Sequence, residues 1–319
     1  MRKVITVVIP TYNEEKNIEV LYNRLNKVFQ QLPEYLLNIQ FCDNASTDST
    51  RQLIEKICSK DKNVSAIFNA KNFGYVRSQF YGLTQADGDA VVLMDADMQD
   101  PPEVIPEFVH EWEKGYQVVT GIKNKSNENP FIYFLRNSYY KLIHKLSDTD
   151  HINQFHGFGL YDRSFILVLR KMDDTLPYLR GIVAELGPKR KEVPFTQDLR
   201  YGGKSHFHFM GLYDLAMLGL TSYTKVLMHL CTLLGGGISL VGLIIALYAL
   251  CMKLTHWDTY PFASAAIQVG VFFLGSLNLF FIGFVGEYIV NMNIRIMHHP
   301  LVIEERRINF IRREDDGKI

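Results

Sequence analysis

Cysteine is scarce in this chain of 319 residues: Cys42, Cys58, Cys231 and Cys251 are scattered, with neither paired metal-ligand spacing nor a dense disulfide pattern. A disulfide-stapled module is excluded, and a reducing compartment is expected for the main domain. Net charge is lacking too. The 34 basic side chains equal the 34 acidic ones, so bulk electrostatics call for no nucleic-acid partner. Neither a Gly-x-x-x-x-Gly-Lys-Ser/Thr loop nor a Gly-x-Gly-x-x-Gly turn follows the first apolar run, which removes the main support for P-loop and dinucleotide-binding readings. Internal repeats and low-complexity linkers are missing as well. That first run, Val4 to Ile9, is strand-sized, so no secretory leader is expected and the N-terminus should stay where it is made.

Long uncharged stretches are present, and they lie together. Val226 to Met252 and Phe262 to Gly286 carry no charged side chain, and each exceeds the roughly 20 residues that cross a bilayer as a helix. Two C-terminal transmembrane helices are predicted, joined by the short Lys253–Pro261 segment. Lys225 precedes the pair, and Arg295, Arg306, Arg307, Arg312 and Arg313 follow it, a bias that puts both flanks in the cytoplasm. The sequence thus divides into a catalytic domain over 1–205, an interfacial amphipathic segment over 206–225, a two-helix hairpin over 226–290 and a cytoplasmic tail over 291–319. An integral protein of the bacterial inner membrane is expected, with the catalytic part and both termini cytoplasmic. A homo-oligomer is left open. Phe131 to Leu146, which mixes aromatics with Arg136, Lys141, His144 and Lys145, is read either as membrane-interfacial or as an ordinary amphipathic helix.

Ahead of these stretches, strand-like runs at Val4–Ile9, Leu37–Cys42, Val64–Phe68, Ala90–Met94 and Gln117–Gly121 alternate with helix-like segments after Glu14, Thr47, Gly74 and Pro102. This is a βαβ progression, and hence an α/β, Rossmann-like domain. The polar, turn-rich stretch from Lys123 to Pro130 reads as a mobile loop.

Within Ala90-Val91-Val92-Leu93-Met94-Asp95-Ala96-Asp97 an apolar strand empties into two carboxylates one residue apart. Ligands of open α/β sheets bind beyond the carboxyl ends of such strands, and period-two alternation sends both side chains to one side, where they can converge on a hard cation that also grips phosphate. Asp100, just before Pro101-Pro102-Glu103, reads as a helix cap and leaves Asp95 and Asp97 unaccounted for. After the first strand, Tyr12 can stack on a nucleobase, and Glu14, with Asp43 at the second strand's end, can accept hydrogen bonds from base or ribose. Each of these alone is equally a turn or cap residue; together they outline one nucleotide-diphosphate cleft.

These residues resemble family-2 glycosyltransferases of the nucleotide-diphospho-sugar transferase (GT-A) fold, in the branch that charges polyprenyl phosphates. The resemblance covers nearly the whole chain. It is carried by Val8-Ile9-Pro10-Thr11-Tyr12-Asn13-Glu14-Glu15, Asp43-Asn44-Ala45-Ser46-Thr47-Asp48, Asn72-Phe73-Gly74, Asp95-Ala96-Asp97-Met98-Gln99-Asp100-Pro101-Pro102-Glu103 and Gly286-Glu287-Tyr288. It implies that Pro10, Tyr12, Glu14, Asp43 and Asn44 hold the nucleoside of a UDP- or GDP-sugar, with Asp95 and Ala96 beside the donor. It further implies that Asp97 and Gln99 bind Mg2+ or Mn2+, and that Arg180 and Arg200 face phosphate. The implied reaction is inverting, metal-dependent transfer of the sugar to polyprenyl phosphate at the cytoplasmic membrane face.

Three positions depart from the family pattern. Asn44 and Ala45 stand where a second Asp and a Gly are usual, His206 where many relatives have Lys, and Gly157 where many carry an Asp sometimes proposed as a base. A lipid phosphate is already anionic near neutral pH, so a missing base costs the reaction little. Two alternatives draw on the same residues: a membrane-bound nucleotidyltransferase, and a non-catalytic membrane module with a vestigial nucleotide cleft.

Overall fold

The computed structural model describes residues 2–123, 155–187, 189–197 and 263–310, together with Met217, Gly237, Val241, Ile244 and Thr255. Arg200, the 124–154 stretch, all but isolated residues of 206–262, and 311–319 lie outside the described residues.

Each of the five apolar runs becomes a strand: β1 Lys3–Thr11, β2 Tyr35–Asp43, β3 Val64–Asn69, β4 Ala90–Leu93 and β5 Val118–Lys123. Between them lie α1 Ile18–Phe29, α2 Thr50–Lys60, α3 Tyr75–Gln85 and, after a single 3-10 turn, α4 Ile105–Glu113. Then follow β6 Gly159–Asp162, α5 Arg163–Arg170, α6 Leu179–Leu186, β7 Arg190–Phe195, α7 Ala263–Ile296 and β8 Glu304–Ile308. The strands form one sheet in the order β7-β5-β6-β4-β1-β2-β3-β8. β1 to β4 run parallel, as the alternation requires, whereas β6 enters antiparallel between β4 and β5, and β8 antiparallel beside β3.

Strand alternation sorts the core into two layers. Ile5, Val7 and Ile9 of β1 face α1, α2 and α4 through Leu21, Leu25, Ile54 and Phe108, while Val8 faces Phe80, Leu83, Phe165 and Ile182 on the side of α3, α5 and α6. At Gly159 on β6, a Cβ would lie 2.4 Å from the Val119 carbonyl oxygen, backbone that cannot step aside. Gly159→Ala is therefore expected to destabilise the fold by about 1–3 kcal/mol, read as a lowered denaturation midpoint.

The segment assigned above to a tail supplies an eighth strand. Ala66, Ile67 and Phe68 pair with Ile308, Arg307 and Arg306, and the end of α7 is tied down where the Thr175 hydroxyl donates to the Ile294 carbonyl at 2.9 Å. The chain thus leaves the sheet at one edge and returns at the other. Counted over the described residues, no helix is long and apolar enough to cross a membrane. The first predicted span lies almost wholly outside them, and the second coincides with the 34-residue α7.

Candidate active site

The loop after β4 is the centre of the site. β4 ends at Leu93, so Asp95 and Asp97 sit in the following turn and not on the strand itself. Alternation nonetheless continues through the turn: Asp95, Asp97 and Gln99 are half-exposed on one side, and Ala96, Met98 and Asp100 are buried on the other. Positive φ at Met98 (67°) helps the turn close, and the Gln99 N–H donates to Asp97 Oδ1 at 3.1 Å.

Asp100 is not a helix cap. Its side chain is 1 % exposed, Oδ1 meets His156 Nε2 at 2.6 Å, and Oδ2 accepts from the Asp95 N–H at 3.1 Å. Burial works against ionisation there, but His156 and the Asp95 N–H outweigh it and hold the Asp100 carboxyl below the usual range. Asp95 shows the reverse: burial, then the neighbouring Asp100 and Asp97 charges, hold its carboxyl well above that range. The Tyr75 hydroxyl donates to Asp95 Oδ1 at 2.9 Å and accepts from Gln79 Nε2 at 3.0 Å. Lys123, at the end of β5, feels Asp100, Asp95, Arg180 and Asp97; burial lowers its ammonium pKa against the pull of the carboxylates. Arg180, at the start of α6, also acts electrostatically on Tyr75 and Lys123, which places it near this group.

Asp95, Asp100 and His156 offer ligand atoms within 4.8 Å of one another. Both Asp100 oxygens are already engaged, however, so that pair braces the loop, and the partly exposed side chains of Asp95, Asp97 and Gln99 better suit a hard divalent cation. At Gly157 φ is 120° and a Cβ would lie 2.7 Å from Gln79 Nε2, so an aspartate at this position would be strained.

The nucleoside candidates differ in exposure. Pro10 and Tyr12 are half-buried around the end of β1, but Glu14 is buried and accepts from Asn17 Nδ2 at 2.5 Å. Asn44 is an internal brace: it donates to Asn72 Oδ1 at 2.8 Å and accepts from Asn69 Nδ2 and the Phe73 N–H. Asp43 is fully enclosed, and Oδ2 takes Arg51 Nε at 2.7 Å and the Ser46 N–H at 3.2 Å. Tyr75, Gln79, Lys123, His156 and Arg51 were not picked out as site residues from the sequence. Lys123, read above as the start of a loop, ends β5 instead, and the others carry no local signal.

A mixed α/β sheet, helices on both faces and acidic side chains gathered beyond the ends of its parallel strands are the arrangement of a GT-A-type nucleotide-sugar transferase, a class that the family match supports. Residues 6–175 match the family described as glycosyl transferase family 2. The chain belongs to that family, and it is a glycosyltransferase. It is 27% identical over 300 residues to an uncharacterized glycosyltransferase, sll0501, of Synechocystis, covering 94% of each chain. To the prophage bactoprenol glucosyl transferase homolog of Escherichia coli it is 29% identical over 308 residues, covering 95% of this chain and 98% of the relative. A solved structure of glucosyl-3-phosphoglycerate synthase from Mycobacterium tuberculosis, with Mn2+, UDP-glucose and phosphoglyceric acid, aligns at 19% identity and TM-score 0.48, over 69% of this chain and 78% of that one.

Proposed function

We propose that this chain transfers a hexose from a UDP- or GDP-sugar to polyprenyl phosphate, with inversion, at the cytoplasmic face of a membrane. Likeness to bactoprenol glucosyl transferases along almost the whole of both chains is the observation that carries the reading. The two partners in the reaction, diphosphate and lipid phosphate, are mutually repelling anions, so the chain's chief task is alignment and charge neutralisation.

Asp95, Asp97 and Gln99 would hold Mg2+ or Mn2+, which when bound supplies positive charge against the leaving diphosphate. Arg180 and Lys123 add positive charge near the loop, with Arg200 assigned from its motif. The Asp100–His156 pair keeps the loop in place by binding the Asp95 backbone. Tyr12 and Asp43 are assigned the nucleoside.

Membrane attachment is part of this proposal. α7 is about 51 Å long at 1.5 Å per residue, and Ile267, Val271, Ile282 and Ile289 on it are more than half exposed, a pattern that suits lipid better than water. Because β8 returns to the sheet, crossings between β7 and β8 must be even in number, which fits a two-helix hairpin with both flanks on one side.

The test is to incubate membranes containing the chain with a panel of labelled nucleotide sugars and extract lipid. One sugar is expected to enter the lipid fraction as a phosphate-linked adduct in a Mg2+- or Mn2+-dependent way; label appearing only in water-soluble products would contradict the assignment.

A further inference from the structure

A carboxylate as enclosed as Asp43 persists only where a cation and hydrogen-bond donors meet it. Arg51, on the first turn of α2, provides both. Its Nε donates to Asp43 Oδ2 at 2.7 Å, Nη2 to the Asn69 carbonyl at 2.7 Å and Nη1 to Glu305 Oε2 at 2.8 Å, while the guanidinium lies 5.5 Å from the centroid of the Phe68 ring. Acceptors on β2, β3 and β8 thus fix the planar fork in one orientation, which a lysine could not reproduce.

Only one side of the Asp43 carboxylate is satisfied by this arrangement. Oδ1 is buried and, among the described residues, has no hydrogen-bond partner, an expensive state that a ligand N–H or O–H would relieve. Oδ1 sits where β2 ends, two strands from the Asp95–Gln99 loop in the sheet order.

We infer that Arg51 is a positioning residue for the nucleoside end of the donor: it turns Asp43 so that Oδ1 receives the base or ribose, and Glu305 of β8 holds Arg51 in place. This deepens the donor-site assignment above and rests on it. It also gives the strand that follows α7 a role in donor binding, since a single side chain, Arg51, links Glu305 to Asp43.

The experiment uses the full-length chain in detergent, with UDP and GDP titrated by calorimetry and donor KM and kcat measured in parallel. Arg51→Lys should weaken the preferred nucleotide by about 10-fold and raise donor KM by a similar factor, with kcat within about 3-fold, because one charge-assisted bond and the fork geometry are lost. Arg51→Gln should be weaker still. Glu305→Gln, on the exposed edge strand, should give about a 3-fold loss in the same direction with an unchanged melting temperature, and it carries the test if the Arg51 variants fold poorly. Unchanged nucleotide affinity in folded Arg51→Lys or in Glu305→Gln, or a loss confined to kcat, would overturn the inference. A wild-type chain that binds neither nucleotide would instead refute the donor-site assignment on which it rests.

Discussion

Asp97→Asn should lower sugar transfer by at least about 10²-fold while leaving the protein folded, since it removes charge from a half-exposed loop side chain and nothing from the core. Chelation of divalent ions should reproduce the loss in the wild type. Asp95→Asn should be similarly inactive but should differ in stability. Burial and the charges of Asp100 and Asp97 raise the folded-state pKa of Asp95, so its contribution is intact below the ordinary carboxylate pKa and is lost as pH rises through the folded value. Metal-free wild type should therefore melt at falling temperature between about pH 4 and about pH 8, and Asp95→Asn should flatten that decline. Added Mn2+ should raise the wild-type melting temperature more at about pH 8.5 than at about pH 5.5, because only the ionised loop binds it well. Melting curves at the two pH values check this; an identical pH dependence in wild type and Asp95→Asn would show that Asp95 is not the strained carboxyl.

Ending the chain at Lys225 is the second change with a large expected effect. The sequence alone suggests that such a fragment retains nucleotide-sugar binding, since its carboxylates are intact, but loses most transfer to polyprenyl phosphate in membranes. The fold changes that expectation. The fragment lacks β8, and with it Glu305 on Arg51, the Arg306–Glu55 ion pair and the Arg306 guanidinium 4.8 Å from the Phe68 ring centroid. It also leaves the edge of β3 unpaired, an invitation to aggregation. Transfer to membrane-borne polyprenyl phosphate should fall by at least about 10²-fold, and nucleotide affinity by several-fold, since both acceptor access and donor geometry suffer. Comparing the fragment with the full chain, using lipid-extracted product and nucleotide titration, separates the two losses. A fragment with full-length nucleotide affinity would deny β8 any part in the donor site.

How far the sequence could be read follows from the physics of each element. β1 to β4 are mostly apolar because their central parts are buried on both faces, and such runs announce themselves. β8 does not: Glu304-Glu305-Arg306-Arg307-Ile308 reads as a solvated charged tail, and only pairing with β3 from more than 230 residues away makes it a strand. β6 is four residues long and opens with a glycine that the adjoining strand demands. In the site, Asp95 and Asp97 were legible because an apolar strand ends in them. His156, Tyr75 and Arg51 were not, because their partners Asp100, Asp95 and Asp43 come from other segments, and a single His, Tyr or Arg has no periodicity to betray it. Asp100 was misread for a related reason: the Pro101-Pro102 that follows makes a cap plausible, whereas the bond to His156 depends on the third dimension.

Purified full-length chain, given its preferred nucleotide sugar, Mg2+ or Mn2+, and an equimolar mixture of polyprenyl phosphate, inorganic phosphate and free sugars, tests the central claim most directly. The account predicts that the sugar is recovered almost entirely as a polyprenyl-phosphate adduct of inverted anomeric configuration, and that Asp97→Asn forms none. Preferential transfer to a soluble acceptor, or a retained configuration in the lipid product, would contradict it.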